Sequence, residues 1–184
     1  MTRQDDINSL LDFWFSARIS KHWFASTPAL DDEIRTRYAT LWRHAAADEL
    51  ADWAETPDGV LALVIVLDQL PLNMFRGKPE SFATEQQAVA VARQAIARGD
   101  DQHVPRERVM FMYLPFMHSE NPADQDLSVS LFQRAGLITN LRFAEHHRGI
   151  VRRFGRFPHR NAILGRASTP EELAYLASSE AFRG

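Results

Sequence analysis

"TPDGVLALVIVLDQLPLNMFRG", Thr56 to Gly77, decides the fold. Thr56 followed by Pro57 is a helix start. A threonine side chain caps the free N–H groups, and proline fits the first helical position, where an N–H would go unbonded anyway. Every residue from Val60 to Leu67 is apolar, so the helix that follows is apolar on nearly all sides. Such a helix belongs at the buried centre of its domain. Its eight-residue apolar run is too short to span a bilayer. Asp68 and Gln69 put polar groups at the end of this buried stretch. Pro71 is expected to break the helix, leaving Asn73 and Arg76 in the exit loop.

The same start signal recurs along the chain at Thr27-Pro28, Asn121-Pro122 and Thr169-Pro170. Between these starts the apolar residues follow a helical period. Ile7, Leu10, Leu11, Trp14 and Phe15 make one face, and Leu30, Ile34, Tyr38, Leu41 and Ala45 make another. Thr84 with Gln87, and Thr169 with Glu172, have the spacing of capping boxes. Gly99, Gly136 and Gly155 fall where helices end. Pro105 is expected to open a helix running through "VMFMYL", and a further helix covers about Ile138 to Arg153. The reading is an all-α domain of about eight helices, residues 1–184, with short connections that suit antiparallel pairs.

Composition bounds the function. The chain has 184 residues, 45% hydrophobic, and a net charge of −3. That is enough apolar material for a full core. An acidic balance argues against a general nucleic-acid binder. The absence of cysteine rules out disulfides, thiol nucleophiles and thiolate metal sites. The opening residues "MTRQDDINSLLDFWF" lack the pattern of a secretory leader, so a soluble cytoplasmic protein is expected, without membrane partners. There is no dinucleotide fingerprint, P-loop, nucleophile elbow or paired-histidine zinc motif. No cofactor and no metal are called for.

Three polar stretches remain at the ends of apolar helices. The first holds Asp68 and Arg76. A carboxylate at Asp68 needs a cation or several donors, because burying it unpaired is costly. The second, "LPFMHSENPADQD" (Leu114 to Asp126), holds His118, Glu120 and Asp124. Asp124 falls in a first helical turn, where the helix dipole favours an acid. The third, "VRRFGRFPHRNAILGR" (Val151 to Arg166), carries five arginines, one histidine and no acid. Arg156, His159 and Arg160 lie on a loop between Phe154 and Phe157 and beyond, fixed by Pro158; Arg148 lies on the preceding helix beside Arg152. A guanidinium fork binds carboxylate or phosphate at two points. Arginines of the third stretch outnumber the carboxylates of the first two. One expectation is a structural network; the other is a cationic face left over for an anion, with Arg156, His159 and Arg160 meeting His118 and Glu120.

Those three stretches, with "LDFWF" and "FATE", resemble the signature of a bacterial family catalogued as domain of unknown function 924, from about Leu10 to Leu176. The resemblance implies an all-helical fold of the tetratricopeptide-like superfamily. It implies no activity, cofactor or substrate, and so no catalytic residues. The family usually has arginine where this chain has Leu72, and often an acid where it has Gly149. The resemblance thus implies an ion pair lost whole, if the two positions face each other.

Three functions fit these residues. The first is binding of a small anionic molecule through Asp68, Arg76, His118, Glu120, Asp124, Arg148, Arg156, His159 and Arg160. The second is an enzyme acting on such a molecule, with His118 or His159 as general acid or base and Glu120 as a further candidate. The third is a helical scaffold clamping an acidic peptide. Sequence alone gives no oligomeric state.

Overall fold

Thr27, Thr56, Asn121 and Thr169 each cap a helix that begins with the proline beside it. Thr27 Oγ1 accepts from Leu30 N (3.3 Å), Thr56 Oγ1 from Gly59 N (3.1 Å), Asn121 Oδ1 from Ala123 N (2.9 Å) and Thr169 Oγ1 from Glu172 N (3.2 Å). The computed structural model describes residues 3–183, and among these there is helix but no strand. The helices are α1 (Arg3–Trp14), α2 (Pro28–Ala46), α3 (Pro57–Val64), α4 (Leu70–Met74), α5 (Glu85–Arg98), α6 (Met110–His118), α7 (Pro122–Arg134), α8 (Ile138–Phe154) and α9 (Pro170–Ala177). A π-helical turn, Ile65–Gln69, joins α3 to α4 without a break, so eight separate helices result. The chain divides into two compact units, residues 3–76 with 80–115, and 77–79 with 116–183.

In the first unit, every residue from Val60 to Leu70 is buried. The helix Pro57–Met74 is long and apolar enough to cross a membrane, but 83% of it is buried inside the fold, as a core helix would be. Gly59 is required where α3 passes Trp53: a Cβ there would lie 2.0 Å from the Trp53 carbonyl oxygen. Ile7, Leu10, Leu11 and Trp14 of α1 are buried, as are Leu30, Ile34, Tyr38 and Ala45 of α2.

Three local expectations need correction. Pro71 does not end the helix. Its ring removes the N–H that would bond Leu67 O, and Thr84 Oγ1 donates to that carbonyl instead (2.6 Å). The π turn just before Pro71 loosens the backbone where the ring must fit. As a consequence Thr84 is no capping box. Its hydroxyl goes to Leu67 and accepts from Trp42 Nε1 (3.1 Å), while Gln87 Nε2 donates to Ala46 O (3.1 Å). Finally, α6 begins at Met110 rather than Pro105. Residues 105–112 first make tight turns, including Arg108 N to Pro105 O (2.8 Å) and Phe111 N to Arg108 O (3.1 Å).

In the second unit α7 packs on α8. Ala144, His147, Ile150 and Val151 form the buried side of α8. Phe157 is fully buried in a cluster with Ile150, Val151 and Tyr175, against which Phe154, Leu176 and Phe182 pack.

Candidate functional site

The loop between α8 and α9 is built from its caps. Gly155 ends α8 in the left-handed region (φ 72°), which glycine adopts without strain. Phe157 then anchors the chain, and Pro158–Arg160 makes one 3₁₀ turn. Arg166 N donates to Asn161 O (2.8 Å), closing the loop. Asn161 is buried, and its Nδ2 donates to Ser168 Oγ (3.0 Å).

This loop meets the segment after α6. Glu120 accepts two bonds from Arg166, Nη1 to Oε2 (2.7 Å) and Nη2 to Oε1 (2.9 Å), and a third from Phe157 N (2.8 Å). Burial acts most strongly on Glu120 and disfavours its charge. The Arg166 and Phe157 bonds, with the charges of Arg166 and Arg160, outweigh burial and hold the carboxyl below the usual range. Arg160 is buried, and its Nη2 donates to His118 O (2.8 Å). The Arg160 guanidinium lies 4.7 Å from the Phe157 ring centre.

Most arginines of the stretch have carboxylate partners. Arg156 binds Glu172 in a fork, Nε to Oε1 (2.6 Å) and Nη2 to Oε2 (2.8 Å), and also donates to Ala167 O (2.8 Å). The Arg156 bonds, helped by Thr169 N and Asn161 against the cost of burial, draw the Glu172 carboxyl down to about 2. Arg152 and Arg148 share Asp126, at 2.6 and 3.4 Å. Arg153 pairs with Glu171 (2.8 Å). The arginine excess counted along the sequence is therefore reduced by two acids of α9, Glu171 and Glu172. Arg153, Phe154, Arg156, Thr169, Glu171 and Glu172 line an open depression of about 340 Å³.

Histidines gather beside Arg160. Burial, followed by the Arg160 charge, lowers His159 to about 4, with Arg166 and His118 acting the same way and Glu120 opposing. Burial also dominates at His147, lowered to about 3, with further lowering from His118, His146 and His159. His147 Nδ1 sits 2.7 Å from Phe143 O. A carbonyl only accepts, so Nδ1 carries the proton and Nε2 is bare. The His147 and His159 rings both contact Phe157, with centroids 5.5 and 5.7 Å apart, and both contact Phe182, at 4.4 and 5.0 Å.

The other expected residues have local roles. Asp124 is buried and accepts from Ser119 Oγ (2.7 Å), while Gln125 Nε2 donates to Met117 O and Ser119 O (both 2.7 Å). These bonds fix the junction of α6 and α7. Asp68 is buried and accepts from Gln69 Nε2 (2.5 Å). Arg76 pairs with Asp31 of α2 (2.8 Å), which also accepts from Asn73 and Ser26. No three acidic or histidine side chains among the described residues are grouped to hold a metal. Sequence reasoning missed Arg166, Glu172, Asp31, His147 and Phe182 as members of these clusters. Arg166 was visible only as the last arginine of the third stretch, and Glu172 only as the third residue of a capped helix, a signal that named a different duty.

The pattern of a family described as bacterial proteins of unknown function, DUF924, matches residues 10–180. A solved protein of unknown function from Agrobacterium tumefaciens is similar at 43% identity, with a TM-score of 0.90, covering 96% of this chain and 99% of its own. No curated protein matches.

Proposed function

This chain belongs to the DUF924 family of bacterial proteins of unknown function, and we propose that its second unit binds a small phosphate- or carboxylate-bearing anion beside Arg160, His159 and His118. The observation that carries this reading is the partly buried His159 next to a buried guanidinium. Burial disfavours its charged form first, and Arg160, Arg166 and His118 add to that effect. Their combined field is positive at a place solvent reaches, so it opposes a proton and attracts an anion. Glu120 is the acid opposing it, and Glu120 is already held by Arg166 and Phe157 N. Arg156 is left out of the ligand shell, since Glu172 occupies its fork.

Binding ranks above catalysis on the same grounds. A general acid or base works best with a pKa near the working pH. His159 at about 4 is neutral at pH 7 and serves better as a hydrogen-bonding group than as a proton donor. Calorimetry with inorganic phosphate tests the reading. Wild-type protein is expected to bind at millimolar phosphate or below. Arg160→Lys, which keeps the charge but loses the fork, is expected to bind more weakly with its circular dichroism unchanged. No heat of binding in the wild type would sink the proposal.

A further inference from the structure

Phe182 belongs to the segment after α9 and lies outside any helix. Three imidazoles meet its ring at steep angles: His147 at 4.4 Å and 62°, His159 at 5.0 Å and 85°, and His146 at 6.3 Å and 74°. Edge-to-face contact of this kind suits a flat aromatic ring. Phe157, which carries Arg160 over its face, touches both His147 and His159. The box around Phe182 is thus walled by imidazoles and adjoins a guanidinium.

Among the described residues, few bonds hold Phe182 and its neighbours. Phe182 N donates to the Tyr175 hydroxyl (2.9 Å). Ala181 N reaches Ser178 O at 3.4 Å, and Arg183 Nη2 reaches Leu176 O at 3.4 Å, both at the long end of hydrogen bonding. The Phe182 ring itself is only partly buried. The ring packs against the imidazoles and against the cluster around Phe157, contacts that another aromatic ring can also make.

We propose that the box is the aromatic subsite of the anion site and that Phe182 fills it as a displaceable self-ligand. The ligand class is a small aromatic anion, an aryl phosphate or aryl carboxylate, with its ring in the place of Phe182 and its charge toward Arg160. The charged half of this inference rests on the function proposed above; the aromatic half rests on the ring geometry. The groups acting on the box are His118, Arg160, Arg166 and Glu120 around His159, and His118, His146 and His159 around His147. His147 and His159, neutral at pH 7, present uncharged faces and edges that accept a ring.

Calorimetry on the full chain tests the inference, with phenyl phosphate, benzoate, benzyl alcohol and inorganic phosphate as probes. Phe182→Ala is expected to bind phenyl phosphate or benzoate about tenfold tighter than wild type. Its affinity for inorganic phosphate should change much less. An equal gain for all the anions, or no gain, would overturn the aromatic subsite. Phe182→Leu fills the volume without a ring and guards against a misfolded alanine variant; it should gain less than Phe182→Ala. Shifts of the His147 and His159 ring resonances in both variants show that the box has changed while the fold persists. Inorganic phosphate on the wild type reads the anion site alone. Its failure would overturn the function proposed above, even where Phe182→Ala takes up benzyl alcohol.

Discussion

Gly149 sits exposed in the middle of α8, and a Cβ there would meet nothing within 4 Å. Glycine costs a helix interior about 1 kcal/mol relative to alanine. Gly149→Ala is therefore expected to raise stability by about that amount in urea unfolding, and a loss of stability would contradict the open position. His147 gives a pH prediction. Its folded pKa is about 3 against an ordinary 6.5, because burial disfavours the charged ring. The unfolded chain takes up the proton first as pH falls. The contribution of His147 is full above 6.5 and is lost as pH drops from there towards 3, with a slope of up to about 1.4 kcal/mol per pH unit. His159 adds to the slope between 6.5 and about 4. His147→Phe should flatten the acid limb of the stability profile; an unchanged slope would mean that the ring is not buried neutral. No pattern in the sequence singles out His147. Its burial depends on Phe157 and Phe182, ten and thirty-five residues away, which no local pattern reports.

At the scale of elements, the helix starts were legible because a cap is a local bond. Thr27, Thr56, Asn121 and Thr169 each need only the next two or three residues. Thr84 failed as a cap because a distant carbonyl took its hydroxyl. Pro71 frees Leu67 O inside a buried helix, and an unmet buried carbonyl costs about 1–3 kcal/mol. Thr84→Val should cost about that much, measured by denaturant unfolding, and should also shift the emission of Trp42, whose Nε1 loses its acceptor. Little loss would mean that another donor reaches Leu67 O. Arginine pairing was illegible for a related reason. Glu172 completes a capping box within α9 and also holds Arg156, and sequence spacing reveals only the first duty. Arg156→Ala leaves a buried carboxylate without its fork, whereas Arg153→Ala frees an exposed one. Arg156→Ala should therefore lower the melting temperature clearly more than Arg153→Ala. Equal effects would argue that the Glu172 pair contributes no more than a surface contact.

For the whole molecule, the sum of charges hides the feature that matters. The chain carries −3 overall, yet seven arginines and one acid lie between Arg142 and Arg166. Acids of α7 and α9 and Glu120 pair with Arg148, Arg152, Arg153, Arg156 and Arg166, while the charges of Arg160 and Arg166 act together on His159. The all-α class was legible from caps and periodicity; this balance was not, because it is set by which acids fold back onto the loop. The proposed function depends on that field, which acts on His159 together with burial. Histidine NMR should follow the His159 ring through a pH titration with and without inorganic phosphate. Without phosphate the ring should titrate near 4. With phosphate bound, the negative charge should favour the protonated ring and move its midpoint upward, so that binding tightens as pH falls. A midpoint that phosphate leaves unchanged, in protein whose circular dichroism is helical, would contradict an anion site at Arg160.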